Sequence, residues 1–228
     1  MKRSRILNSI ALIALLFWFS LELTGCSWFR SPVVSNPDEL AFRGMEAFED
    51  EDYRSALKAF NTLKERYPYS RYAILAELKI GDAHFYRKEY PEAIAAYEEF
   101  ASLHPKNEAI PYVLYQIGAC YYEQLMTEDR DQTPTREAIS SFERLIKSHP
   151  SSAYTRRAQE KVQICRELLA QNELYVAHFY YKSKHYKAAL NRFEIVLTTY
   201  PDVISFQTRR EVEELVVVCK EKIADIIE

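Results

Sequence analysis

Glycine and cysteine are scarce in this sequence, and both shortages limit the folds and activities it can have. Only four of its 228 residues are glycine, whereas 17 are tyrosine and 12 are phenylalanine. β-Sandwiches and Rossmann folds need glycine in their turns, so this composition argues against both. It favours helices packed through aromatic side chains, arranged as one or two globular domains or as one elongated array.

Motifs of catalysis and metal binding are also missing. The sequence has no Gly-x-Ser-x-Gly elbow and no glycine-rich phosphate loop. Of its five histidines, two hold a repeat place at helix ends and the other three have no regular partner spacing. Cys120, Cys165 and Cys219 lie among apolar neighbours without metal-ligand spacing, so we interpret them as small buried residues, with a redox role as the alternative. We therefore expect no enzyme activity, no metal and no cofactor. The net charge of −3 gives no reason to expect nucleic acid.

Residues 1–25 have the layout of a secretory signal. Lys2-Arg3-Ser4-Arg5 precede an apolar run over residues 6–21. A retained anchor is the alternative, but this run is short for a membrane span, which needs about 20 residues. The next segment, Leu23-Thr24-Gly25-Cys26, resembles the lipobox of bacterial lipoproteins, which is cut before a cysteine that carries lipid.

The lipobox implies a mature chain that starts at Cys26 with a diacylglycerol and an N-acyl chain such as palmitate. Residues 26–37 then form a lipidated N-terminus and a tether. Ser27 implies export to the outer membrane of a diderm bacterium, facing the periplasm. In a Gram-positive cell the same motif would mean the outer face of the plasma membrane. We expect attachment to the membrane through the lipid alone.

A sixteen-residue pattern occurs four times, at residues 53–68, 90–105, 135–150 and 186–201. Each copy has alanine at its fourth place, then leucine or isoleucine, an aromatic three residues later, and proline at the end. These spacings place the apolar set on one helical face, and proline ends the helix. A small residue recurs in a helix before each copy, at Gly44, Gly81, Gly118 and Ala177, which suggests that paired helices cross closely.

Two helices per unit with these small and aromatic residues resemble the tetratricopeptide repeat. We predict an all-α, tetratricopeptide-like array, an α–α superhelix of about five helix pairs, over residues 38–228. Repeats are expected at 38–71, 72–108, 110–152 and 170–203, followed by a capping helix at 204–228. The run 151–184 has helical character nearly throughout, either as one helix or with a break near Gln171-Asn172.

The interruptions of the repeat carry a closer resemblance. Asp129-Arg130-Asp131 precedes the third copy, Tyr67-Pro68-Tyr69-Ser70 closes the first, and Tyr200-Pro201-Asp202 closes the last. This order behind a lipobox resembles the BamD family, lipoprotein subunits of the outer-membrane β-barrel assembly (BAM) machinery. The resemblance implies a non-catalytic scaffold that docks on BamA, an Omp85-type barrel protein, and on other BAM lipoproteins where these are present. It also implies help in recognising and inserting unfolded outer-membrane β-barrel proteins.

A different periplasmic tetratricopeptide-repeat lipoprotein is the alternative. Such an adaptor would coordinate cell-envelope or peptidoglycan machinery. It would have no reason to carry the insertion before the third copy, so the insertion favours the BAM subunit.

Two sets of candidate binding residues follow. First helices line the concave side of a repeat array, and the register places nine residues there: Met45, Phe48, Glu49, Asp82, Phe85, Tyr86, Tyr115, Ala119 and Tyr122. We predict an aromatic groove with few charges that suits a peptide with a terminal aromatic residue, with packing between helices as the alternative for each residue. Tyr86 and Tyr122 are the better candidates because their hydroxyls can face water.

By resemblance, Thr208, Arg209 and Arg210 correspond to the segment of the last repeat that docks on BamA. Two arginines stand here where one is typical, which leaves open which of them pairs with a partner carboxylate.

Overall fold

The helices of the protein follow one another in a repeating order. The computed structural model describes residues 36–227, so the expected signal peptide, Cys26 and nearly all of the tether lie outside the described residues. The described part holds nine helices and no strand: α1 (Pro37–Glu49), α2 (Tyr53–Arg66), α3 (Ala73–Tyr86), α4 (Tyr90–Leu103), α5 (Ile110–Tyr122), α6 (Thr133–Ser148), α7 (Ala153–Lys182), α8 (Tyr186–Thr199) and α9 (Phe206–Ile227). The predicted all-α repeat fold is confirmed.

Neighbouring helices pack in chain order, each against the next. The pairs α1–α2, α3–α4 and α5–α6 lie in the first three predicted repeats. Their buried side chains form successive apolar clusters, one around α1 to α3 and a larger one from α4 to α7. A third cluster joins the end of α7 to α8 and α9. The core is therefore distributed along the array as successive clusters between neighbouring helices, as expected for units that cannot bury their apolar faces alone.

Close approach between paired helices depends on the small residue in the first of them. A Cβ on Gly81 would lie 2.6 Å from Cε1 of Tyr97, and one on Gly118 would lie 2.5 Å from ring atoms of Phe142. Ala177 takes this place in the last pair and is buried in one cluster with Phe193. The prediction that this residue marks a close helix crossing is confirmed.

The four repeat copies end in the same way. In each, the backbone N–H of the residue before proline donates to the carbonyl four residues earlier: Tyr67 to Leu63, His104 to Phe100, His149 to Leu145, and Tyr200 to Val196. Proline disfavours helical geometry in the residue that precedes it, so the helix stops there.

Helix α7 has 30 residues and is continuous, which decides between the two sequence interpretations. Ala158 and Cys165 of its first half lie in the central cluster, whereas Ala177 of its second half lies in the last one. The fourth predicted repeat therefore begins inside a helix. The array consists of four helix pairs, with the first half of α7 and the final helix α9 as additional layers.

None of the helices between residues 36 and 227 combines the length and the apolar character needed to cross a bilayer.

Candidate functional site

A cavity of about 440 Å³ opens where α3, α5 and the first half of α7 meet. Phe85, Tyr86, Tyr115, Ala119 and Tyr122, five of the predicted groove residues, line it together. The register explains this convergence. Phe85 and Tyr86 follow Gly81 by four and five residues, Tyr122 follows Gly118 by four, and both stretches end the first helix of a unit.

Tyr86 is the most exposed of these aromatic side chains, with 54% of its surface accessible. Its ring stacks on Tyr53 with centroids 5.2 Å apart, and the edge of Phe48 contacts it at 5.8 Å. Phe48 therefore belongs to an aromatic cluster beside the cavity without lining it. Met45 and Glu49 do not line it either: Met45 packs against the first core cluster, and Glu49 is exposed.

Asp82 does not face the groove, so this part of the sequence prediction is wrong. Its side chain is only 2% exposed. Oδ1 accepts hydrogen bonds from the hydroxyls of Tyr97 at 2.8 Å and Tyr112 at 2.7 Å, and Oδ2 lies 2.8 Å from Lys79 Nζ. The repeat register places Asp82 on the side formed by the first helices. Tyr112 of the following unit covers it there, so its side chain is not accessible. The carboxylate thus joins two units instead of contacting a ligand.

Burial of this hydrogen-bond network also changes the pKa values of its two tyrosines. Burial, with the neighbouring Asp82 charge as a second cause, raises the pKa of Tyr97 and of Tyr112 well above the usual value for tyrosine. Both hydroxyls stay protonated and remain donors. Tyr112 also lines the cavity, so Asp82 holds one wall of the cavity in place.

Two cations lie over the aromatic wall, contrary to the predicted groove with few charges. The guanidinium of Arg157 is 4.8 Å from the ring centre of Tyr115, and Nζ of Lys161 is 3.6 Å from that of Tyr122. Both come from α7, whose first half takes the place of the next unit's first helix. The predicted groove ended with the third unit and did not include these two residues, although their spacing of four residues on a helix was a usable signal.

The predicted docking residues lie at the start of α9. Oγ of Ser205 accepts from the backbone N–H of Thr208 at 3.0 Å, and Thr208 lines a second cavity of about 190 Å³ between α7 and α9. Arg209 donates to the carbonyl of Pro201 at 2.7 Å. Arg210 is 70% exposed, and its nearest carboxylate is Glu214 at 3.6 Å. Arg209 therefore has an internal partner, whereas Arg210 projects outward.

The three cysteines of the described part are free and buried, as predicted. Burial raises the pKa of Cys120 to about 12 and that of Cys165 to about 11. Within residues 36–227, no group of three or more His, Cys, Asp or Glu side chains is arranged to hold a metal ion.

Comparison with known proteins gives the family. The model of the YfiO family, described as outer membrane lipoprotein, matches residues 35–216. The chain belongs to this family. Relatives named outer membrane protein assembly factor BamD include one from Vibrio cholerae, 28% identical over 84% of both chains. Another, from Neisseria meningitidis serogroup A, is 29% identical over 78% of this chain and 68% of its own.

A third relative with that name, from Caulobacter vibrioides, is 29% identical over 71% of this chain. The match spans 53% of the Caulobacter protein, so the chain accounts for about half the length of that relative. The resemblance to the BamD family is confirmed by these matches, and the family's description agrees with association with the outer membrane.

Proposed function

We propose that this protein is a lipid-anchored subunit of the machinery that assembles outer-membrane β-barrel proteins. In this role it faces the periplasm, docks on an Omp85-type barrel protein such as BamA, and binds segments of unfolded barrel proteins. Family membership and the assembly-factor names of its relatives support the assembly role.

The cavity between α3, α5 and α7 is the observation that carries the client-binding part. It is concave, lies on the side formed by first helices and is rich in tyrosine. Such sites suit an extended segment that inserts an aromatic side chain, because stacked rings contribute beyond the area they bury.

Client binding is tested by substituting the tyrosines at the exposed edge of the cavity. Tyr86→Ala and Tyr122→Ala should each weaken binding of a fluorescent peptide from an unfolded barrel protein, measured by anisotropy. Phe179→Ala is the matched control, because Phe179 is an aromatic residue with 62% exposure that does not line the cavity. Equal affinities in all three variants would place client binding elsewhere.

Docking is assigned to the start of α9, with Arg210 as the outward-facing charge. We expect Arg210→Glu to reduce recovery of the Omp85 partner about fivefold or more when the tagged chain is purified from membranes, because a complementary charge is reversed. Arg209→Glu is less informative, since it also removes the bond to Pro201.

Arg156→Glu is the control for Arg210→Glu. Arg156 is 86% exposed, lies near the start of α7, and has a glutamate four residues later at 3.7 Å, as Arg210 has at 3.6 Å. Both reversals place two glutamates four residues apart near a helix N-terminus, so their effects on helix stability are matched. Recovery of the chain without any Omp85 protein would reject this function in favour of an envelope adaptor.

A further inference from the structure

The start of α1 and the turns after α2 and α4 lie at one edge of the array. Neighbouring helices run antiparallel because their connections are short, so every first helix begins where a second helix ends. Contacts agree with this order: Oδ1 of Asp38 accepts a hydrogen bond from Arg71 at 2.9 Å and one from the hydroxyl of Tyr72 at 2.8 Å. The tether enters here, at the first residue of α1. We call this surface the tether edge, and it comprises residues 37–40, 66–75 and 103–110.

Two large side chains project from the turns of the tether edge. Tyr69 is fully exposed, and Leu103, the last residue of α4, is 56% exposed. Nζ of Lys64 lies 2.7 Å from Oε2 of Glu99, so the ends of α2 and α4 are side by side. Tyr69 and Leu103 therefore belong to one surface, which presents an aromatic and an aliphatic group to its surroundings.

The opposite edge of the array is acidic. The turn from α1 to α2 carries four consecutive exposed carboxylates at residues 49–52. The insertion between α5 and α6 adds three more within residues 128–131, beside one arginine. Anionic headgroups repel such a surface, and the repulsion extends over about 8 Å at physiological salt. An anionic bilayer therefore disfavours the approach of this edge.

The tether edge is close to neutral around its exposed side chains. Arg66 and Lys106 are exposed there and balance Glu65 and Glu108. Their long side chains can extend to lipid phosphates. A tyrosine at the boundary of a bilayer buries its ring while its hydroxyl stays in water. The edge thus combines residue types that are typical of contact with the membrane–water interface.

The chain length between the lipid and α1 brings this edge within reach of the bilayer. Residues 26–36 connect Cys26, which is predicted to carry lipid, to the start of α1. Fully extended, they span at most about 40 Å. The acidic turn lies at the other end of α1, about 20 Å further along the helix axis. A membrane tethered at this point therefore meets the tether edge more readily than the opposite one.

We propose that the tether edge lies against the phospholipid leaflet that holds the lipid of Cys26. Tyr69 and Leu103 insert among the headgroups, and Arg66 and Lys106 lie beside their phosphates. This assignment rests on the proposed function, because it takes the chain to be lipid-anchored. The lipid still supplies the attachment, whereas the edge contact sets the orientation, with the acidic edge turned away from the bilayer.

The test uses the acylated mature chain in vesicles of phosphatidylethanolamine and phosphatidylglycerol. A nitroxide label is attached to Tyr69→Cys, or to Asp50→Cys at the opposite edge as the control. Labelling is selective because the three cysteines of residues 36–227 are buried. Electron paramagnetic resonance measures collisions of the label with oxygen, which concentrates in the bilayer, and with a nickel chelate, which stays in water. Relative to the labelled Cys26→Ala chain in buffer, the oxygen-to-nickel ratio should rise several-fold for Tyr69→Cys and stay unchanged for Asp50→Cys.

A second variant tests the other inserted side chain, with the label on Tyr69→Cys as the reporter. Leu103→Ser should lower the ratio of membrane-contacting to water-exposed labels about fivefold or more, because an apolar group leaves the bilayer. Met126→Ser is the matched control, since Met126 is 53% exposed and lies on the insertion at the opposite edge. Circular dichroism and thermal unfolding check that every variant folds.

Different failures reject different parts of the proposal. A label on Tyr69→Cys that stays as accessible to the nickel chelate as one on Asp50→Cys overturns the lipid contact and leaves lipid anchoring and client binding intact. Protection in native outer membranes but not in vesicles assigns the edge to a partner protein and also overturns the lipid contact. Equal effects of Leu103→Ser and Met126→Ser overturn the role of Leu103. Failure of the acylated chain to stay with vesicles overturns the lipid-anchored function itself.

Discussion

Asp82 shows how a single residue joins neighbouring units of the array. A carboxylate in an apolar interior is costly unless it is fully hydrogen-bonded and paired. Here two tyrosine hydroxyls and one lysine meet that requirement. The tyrosines belong to α4 and α5, so one carboxylate connects helices of two successive pairs. Removal of any partner should therefore cost more than an ordinary surface hydrogen bond.

Tyr97 provides a prediction from this network. Its repeat place holds phenylalanine in the other three copies, at Phe60, Phe142 and Phe193, so Tyr97→Phe appears harmless from the pattern. We expect it to lower the free energy of unfolding by about 1–3 kcal/mol, because a donor to a buried carboxylate is lost. Urea denaturation followed by circular dichroism measures this change.

Tyr121→Phe is the control for that prediction. Tyr121 is half-buried against the same core cluster, and its hydroxyl has no hydrogen-bond partner among residues 36–227. Its removal should change the free energy of unfolding by less than about 0.5 kcal/mol. Equal effects of the two substitutions would show that the Asp82 network contributes nothing specific.

The cysteines give a second prediction at this scale. Because burial raises the pKa of Cys120 and Cys165, few thiolates exist near neutral pH, and the thiolate is the reactive form. In the mature chain, whose Cys26 is expected to carry lipid, labelling with a thiol reagent at pH 8 should be at least about a hundredfold slower than in guanidinium. Fast labelling of the folded chain would contradict the buried assignment.

The continuity of helix α7 explains why an aromatic surface is exposed along its second half. In α3, Ala76, Ile80 and Ala83 form a stripe that is buried against the preceding unit. The equivalent places around Ala177 in α7 are Asn172, Val176 and Phe179, and Phe179 is exposed. The second half of α7 has no preceding second helix to cover this stripe, because α7 continues directly from the first half. Its exposed aromatic surface follows from that continuity.

The insertion before α6 covers part of the same region. Nδ2 of Asn172 donates to the carbonyl of Glu128 at 2.6 Å. Inside the insertion, Gln132 is buried and donates to the carbonyls of Thr127 at 2.9 Å and Arg130 at 3.1 Å, while it accepts from Thr135 at 2.8 Å. The insertion is therefore an ordered loop that one glutamine holds closed.

This arrangement predicts the effect of Gln132→Ala. The loop should open, and trypsin should then cut after the exposed Arg130 several-fold faster than in the unmodified protein, because cleavage follows local opening. Gel analysis of limited proteolysis measures the rate. Asp129→Asn is the control, since Asp129 makes only exposed contacts in the same loop. Similar cutting rates in both variants would show that Gln132 does not hold the loop.

Attachment to the membrane is a property of the whole molecule. None of the helices between residues 36 and 227 is long and apolar enough to cross a membrane. The resemblance of residues 23–26 to a lipobox predicts attachment through a lipid on Cys26. We expect Cys26→Ala to leave the folded array and its thermal unfolding unchanged while the protein moves to the soluble fraction, because the acyl chains supply the membrane affinity. Cell fractionation measures this. A variant that stays in the outer membrane would show that partner proteins suffice as the anchor.

Much of the array could be predicted from the sequence, and for a local reason. The spacing of Ala93, Tyr97 and Phe100 lies within one helix, and proline ends each copy, so periodicity alone placed the paired helices. The sequence did not decide whether residues 153–182 form one helix. The run has neither glycine nor proline, which favours one helix, but its apolar stripe changes partners midway, which suggests a break. The aromatic wall of the cavity followed from the register, since its residues hold fixed repeat places.

The burial of Asp82 and the positions of Arg157 and Lys161 were decided by tertiary structure alone. Each depends on where the next unit lies: Tyr112 covers Asp82, and α7 carries the two cations over Tyr115 and Tyr122. A repeat pattern specifies which way a side chain points from its own helix. Only the stacking of successive helices specifies what that side chain contacts. For this reason Asp82, a predicted ligand residue, is a buried carboxylate of the core, and the predicted aromatic groove has a cationic wall.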